Sequence, residues 1–244
     1  VKKTIAITST LGKQLTRMKE KEQTQLLNQL YAFRGEYAEA LINDPKNAIR
    51  ELMLTLDEVI LKAQQADDEN QISCKKGCDA CCTFRVSCYI EEALMLYSRG
   101  EFSSSFWDKA KKVANIDSDK QWLDMPTDLR RCLFLDNHQC SVYHLRPLVC
   151  RSYFVVNDPQ VCSKYDSTIS QWSPLFVTAV ENIIIRPEAS AENIAKQLLK
   201  IKEIDDEYRT GTRSNNYPAS KKDEQIIRTF LQQMRTTNKG EAEV

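Results

Sequence analysis

The stretch Cys74-Lys75-Lys76-Gly77-Cys78-Asp79-Ala80-Cys81-Cys82 places four thiols within nine residues. Read as a helix, it sets them at i, i+4, i+7 and i+8, all on one face. Read as a loop, it has in Gly77 a residue that admits a tight turn. On a helix, thiols so spaced have Cβ atoms roughly 5–6 Å apart, near enough to share a metal ion or a small cluster. A buried helical stripe would show the same spacing, with cysteine acting as a small hydrophobe. Such a stripe, however, uses leucine or alanine at most of its positions. Clustered thiols point to metal binding.

Upstream of this stretch, apolar residues recur with a helical period over 21–42, at Leu26, Leu27, Leu30, Tyr31, Tyr37 and Leu41. Asn43-Asp44-Pro45 interrupts them: Asp44 suits a helix cap and Pro45 the first position of the next helix. Ile49, Leu52, Met53, Leu56, Val59, Ile60 and Ala63 then form the apolar face of that second helix. Residues 1–70 read as an antiparallel helical hairpin behind a solvated N-terminus. Residues 64–73 are a polar linker into the thiols. Beyond them, a helix is expected over 89–99, ended by Gly100, and another over 104–114, capped by a serine. Residues 115–130 read as irregular.

A second cysteine region follows. The runs 131–135 and 140–143 are strand-like and flank Asp136-Asn137-His138-Gln139, a turn sequence, so a β-hairpin is expected. A two-residue turn pairs Leu135 with Cys140 and sends Cys132 to the opposite face; a three-residue loop puts both thiols on one face. Pro147 then opens a helical turn carrying Cys150, residues 152–156 suit a strand, and Cys162 follows the turn at 157–159. After Trp172 cysteine disappears and helical patterning returns. Helices are expected over 174–185 and 187–208, the latter burying Ile194, Leu198, Leu199, Ile201 and Ile204. A last one starts at Asp223 with Ile226, Ile227, Phe230 and Leu231 inside, and disorder is expected from Thr236.

The central pattern Cys74-x3-Cys78-x2-Cys81-Cys82, Cys132, Cys140, Tyr143-x2-Arg146-Pro147-x2-Cys150-Arg151, Cys162 resembles the CxxCxxCC cysteine-cluster family (YkgJ-type), proteins described as zinc- or iron-chelating. The likeness covers about residues 74–162. It implies that Cys74, Cys78, Cys81, Cys82, Cys132, Cys140, Cys150 and Cys162 are the metal ligands. Cys88 falls outside the pattern and is assigned to the core. Flagellin lysine-N-methylases carry a similar cysteine motif.

Eight thiolates suffice for two four-thiolate sites, of zinc or of iron, the latter mononuclear or as an iron–sulfur cluster. Cys74, Cys78 and Cys81 with the distant Cys150 would suit a cluster. Such sites are anionic; Lys75, Lys76, Arg131, Arg146 and Arg151 are the cations at hand. Arg146, Arg151 and Tyr143 are expected around the ligands, bonding sulfur or carboxylates, whereas His138 and His144 read as turn or surface residues. The Cys-x3-Cys-x2-Cys spacing also occurs in radical-SAM enzymes, but those need a β/α barrel, and here a helical pair precedes the motif with no βαβ alternation after it.

Six glycines and seven prolines in 244 residues favour a helical protein over a many-turned β fold. The expected architecture is mainly α with a small β-hairpin: a helical hairpin (1–70), a cysteine-cluster region (71–165) and C-terminal helices packing on it (166–244), together one unit. Lys+Arg and Asp+Glu both total 34, so no charge bias favours nucleic acid or an anionic membrane. No apolar run nears the roughly 20 residues a bilayer span needs. The first residues lack a sustained apolar region, and nine cysteines is an odd number. Both features favour a reducing cytoplasm over a disulfide framework. The function expected is binding of zinc or iron through clustered thiolates. Two alternatives stand beside it: an iron-dependent redox or protein-modifying (lysine methylase-like) enzyme, and an interaction module with a purely structural zinc. The partners expected are a metal ion and, on the flanking helices, a protein. Serine-hydrolase and phosphate-binding motifs are absent from the sequence.

Overall fold

Asp44-Pro45 folds the start of the chain back on itself. Helix α1 (Glu20–Asn43) closes where the Asp44 N–H donates to the Ala40 carbonyl at 2.7 Å, and α2 (Pro45–Ala66) begins at the next residue. A computed structural model describes residues 18–66, 77–155, 162, 171–172 and 191–241 of the chain. The two helices pack against each other as the hairpin the pattern predicts. Ile49, Leu52, Met53, Leu56 and Ile60 of α2 are buried, as are Leu30, Tyr37 and Leu41 of α1. Tyr31, counted with the apolar stripe, instead faces solvent.

The centre of the chain is built of short pieces. A 3-10 turn (Ala80–Thr83) leads through β1 (Ser87–Cys88) into α3 (Ile90–Tyr97), and α4 (Ser104–Val113) follows. Ser103 caps α4, accepting from the Phe106 N–H at 3.2 Å. The region expected to be irregular contains two short helices, α5 (Asp119–Leu123) and α6 (Thr127–Arg130). Ser118 caps α5 through the Gln121 N–H, a signal too short to register as a helical period. Then come the hairpin β2 (Leu135–Asp136) and β3 (Gln139–Cys140), a 3-10 turn (Tyr143–Leu145), and α7 (Leu148–Ser152). Strand β4 (Phe154–Val155) pairs antiparallel with β5 (Gln171–Trp172).

Strand β6 (Glu192–Asn193) pairs antiparallel with β1, Ser87 opposite Asn193 and Cys88 opposite Glu192. Helix α8 (Ile194–Thr210) therefore starts at Ile194, not near 187. The buried Asn193 explains the boundary. Its side-chain oxygen accepts from the Ala195 N–H at 3.0 Å while its amide donates to the Val113 and Ile116 carbonyls, an N-cap that also ties α8 to the end of α4. Gly211 ends α8 at φ 73°, the left-handed position glycine favours. Helix α9 (Lys221–Glu241) extends past Thr236, where disorder is expected, as far as Glu241.

The fold class is as expected, mostly helical with small antiparallel sheets. Helix α8 lies against α3, α4 and α9, and one apolar cluster joins residues of α1, α2, α3, α8 and α9 with Phe134, Val142 and Leu148 of the cysteine region. Every core position expected in α8 and α9 is buried. No helix among the described residues is long and apolar enough to cross a membrane. The helix expected over 174–185 and the N-terminal residues 1–17 lie outside the described residues.

Candidate metal centre

Within the described part of the decisive stretch the chain is not an α-helix. Gly77 sits at φ 92°, and Cys81 and Cys82 lie on the 3-10 turn that follows. The loop reading is the one realised, for the reason that Gly77 supplies. Two bonds hold this turn. The Trp122 indole N–H donates to the Thr83 carbonyl at 2.8 Å, and the Cys132 N–H donates to the Cys82 carbonyl at 2.7 Å. The second bond fastens the first cysteine region to the second.

The hairpin turn has Asn137 at φ 45° and His138 at φ 63°, the paired positive values of a two-residue type I′ turn. Leu135 accordingly pairs with Cys140. The strand is too short for its pleat to decide the fate of Cys132. A turn closed by the Leu135 N–H on the Cys132 carbonyl re-aims that residue, and the Phe134 N–H lies 3.5 Å from its sulfur. Cys132 and Cys140 still act on each other electrostatically despite the two-residue register. His138 has a specific contact, its Nδ1 lying 2.7 Å from Asp79 Oδ2 in the first cysteine stretch.

Cys150 rides on α7, opened by Pro147 as expected. Arg151 beside it is fully buried. Its guanidinium donates to the Arg146 carbonyl at 2.7 Å, to the His144 carbonyl and to Asp57 of α2. Among the described residues its partners are carbonyls and a carboxylate rather than sulfur. Arg146 lies over the Tyr143 ring, 3.7 Å from its centroid, and donates from Nε to the Tyr143 carbonyl.

Electrostatics show which thiols are neighbours. Cys81 is lowered to about 7, chiefly by a hydrogen bond from the Cys82 thiol, with Arg146 assisting against burial. Cys82 is raised by that same bond, by burial and by the charges of Cys132, Cys81 and Cys140. Burial raises Cys132 to about 11; Cys140 and Cys81 add to the shift while the Phe134 N–H and Lys109 oppose it. Cys150 is raised by burial, then by Cys132 and Cys81, against Arg146. Five thiols from four separate segments are therefore within electrostatic reach of one another. Cys88 is fully buried, as its exclusion from the ligand pattern implied.

Among the described residues no three His, Cys, Asp or Glu side chains form a ready ion-holding group. Cys74, Lys75 and Lys76 lie outside the described residues, and Cys162 is buried. Cys78 is a free thiol at the start of the turn. In donor chemistry the site fits zinc or iron: soft sulfur ligands, none tied in a disulfide among those described, with cations beside them. One of those cations, Lys109 of α4, was not anticipated, whereas Arg131 is exposed. Trp122 holds the cysteine turn through the Thr83 carbonyl, and the charges of Lys109 and Glu92 act on Cys132 and Cys150, all from elsewhere in the chain, and no local pattern marks them. A cavity of about 440 Å³ lies apart from the thiols, lined in part by Tyr97, Phe102, Trp107 and Asp205, and its Asp205 is already paired with Arg209 and Arg235.

The described residues form a helical scaffold on which cysteine thiols from several segments act on one another. Residues 73–173 match the model of the CxxCxxCC family, described as a putative zinc- or iron-chelating domain, so the resemblance drawn from the motif holds across the centre of the chain. No curated protein and no solved structure matches the chain at a significant level.

Proposed function

We propose that this protein binds zinc or iron through Cys81, Cys82, Cys132, Cys140 and Cys150, with Cys74, Cys78 and Cys162 completing the ligand set. The observation that carries this reading is the approach of five free thiols from four segments with no disulfide among them. Thiolates repel one another, so a fold that gathers them is offset by a bound cation. Arg146 and Lys109 supply part of that compensation. The ion would serve as a structural tetrathiolate centre or, as an iron–sulfur cluster, would supply electron transfer.

Metal analysis of protein purified without oxygen tests this. Wild-type protein is expected to carry near-stoichiometric zinc or iron. Brown colour with absorbance near about 400 nm identifies an iron–sulfur cluster, and a colourless zinc protein the structural alternative. Cys132→Ser and Cys150→Ser are expected to lose metal while Cys88→Ser keeps it. Metal-free protein with its thiols joined in disulfides overturns the reading.

A further inference from the structure

Glu92 is 3% exposed, on the first turn of α3, and accepts two backbone hydrogen bonds that serve different elements. Its Oε2 takes the Tyr89 N–H at 2.8 Å, closing the start of its own helix. Its Oε1 takes the N–H of Leu148, the first residue of α7, 56 positions further along the chain. That helix has Pro147 at its cap and no side-chain cap bond. The Cys150 and Arg151 N–H groups are satisfied by the Pro147 carbonyl, which leaves Leu148 dependent on a partner from elsewhere.

We infer that Glu92 is a positioning residue for the metal centre: it fixes the short helix that carries Cys150, and so sets where that thiol meets the other ligands. This rests on the metal-binding reading above. Two anchors define α7. Arg151 ties its last turn to Asp57 and to the carbonyls of the preceding loop, and Glu92 holds its first turn. Cys150 lies between these anchors, two residues beyond the N–H that Glu92 holds. A helix of five residues has no hydrogen-bonding reserve of its own to hold its direction once that bond is gone.

The test is titration of cobalt(II) into metal-free wild type, Glu92→Gln and Glu92→Asp. Glutamine has one acceptor oxygen and must release one of the two N–H groups; aspartate keeps the near bond to Tyr89 and falls short of Leu148. Both variants are expected to bind cobalt about 10- to 100-fold more weakly. Both should also shift the thiolate-to-cobalt absorption bands, while circular dichroism shows wild-type helix content. Wild-type affinity and bands in both variants overturn the inference. So does failure of both to fold, which would make Glu92 a determinant of the whole core. Absence of thiolate–cobalt bands in the wild type overturns the metal-binding reading instead.

Discussion

The buried guanidinium of Arg151 is paired with Asp57, 94 residues earlier in the chain, and this pair ties the cysteine region to the N-terminal helical hairpin. Its two members are unlike: the Arg151 side chain is 0% exposed, Asp57 44%. Removing the carboxylate strands a charge with no access to water, whereas removing the guanidinium leaves a carboxylate that water can reach. Asp57→Ala is therefore expected to cost about 3 kcal/mol, at the lower end of broken buried pairs. Urea unfolding of the metal-free protein checks it, and a loss within about 0.5 kcal/mol, the range of ordinary surface substitutions, would contradict it.

Cys81 holds the thiolate of the Cys81–Cys82 pair, since the Cys82 thiol donates to it and lowers it to about 7. Near neutral pH, metal-free protein should be alkylated at Cys81 ahead of Cys82, Cys132 and Cys150, each of which is raised. Cys82→Ala removes the donor and should slow alkylation of Cys81 on the order of tenfold. Mass spectrometry of a timed iodoacetamide reaction reads both results.

Burial raises the Glu92 carboxyl from 4.5 to about 7, against the two N–H bonds it accepts. The folded chain thus holds a proton that the unfolded chain releases near 4.5. The stability this group contributes is fully present below that value and is lost as pH rises through 7. At roughly 1.36 kcal/mol per unit the difference is on the order of 3 kcal/mol. Metal-free wild type is expected to lose stability from pH 5 to 8, and Glu92→Gln to show a flatter profile. Urea midpoints across that range decide it.

How far the sequence could be read depended on the range of the signal. The helices α2, α8 and α9 were legible because their apolar residues repeat over several turns, and Ile194, Leu198 and Ile201 are buried as their spacing required. Helices α5 and α6 span too few residues for a period to show. The start of α8 was misplaced because its stop signal is the pairing of Glu192 with Cys88 and the bonds of Asn193 to α4, contacts about 80 to 100 residues distant. At the candidate metal centre the cysteine spacing pointed to chemistry, and Gly77 permitted a turn without deciding between loop and helix. The hairpin register alone would have parted Cys132 from Cys140; a local turn rejoins them.

By itself the sequence determined the helical class and the crowding of thiols along the chain, since these follow from residue spacing, and it left helix and loop both open for the stretch carrying Cys81 and Cys82. Only the tertiary structure decided which thiols become neighbours and what holds them there. Trp122 on Thr83, Cys132 on Cys82, Glu92 on Leu148 and Asp57 on Arg151 are bonds between groups 39 to 94 residues apart. Hydrogen bonds of that kind arise only once apolar packing has closed the chain around them, and no pattern along the sequence encodes them.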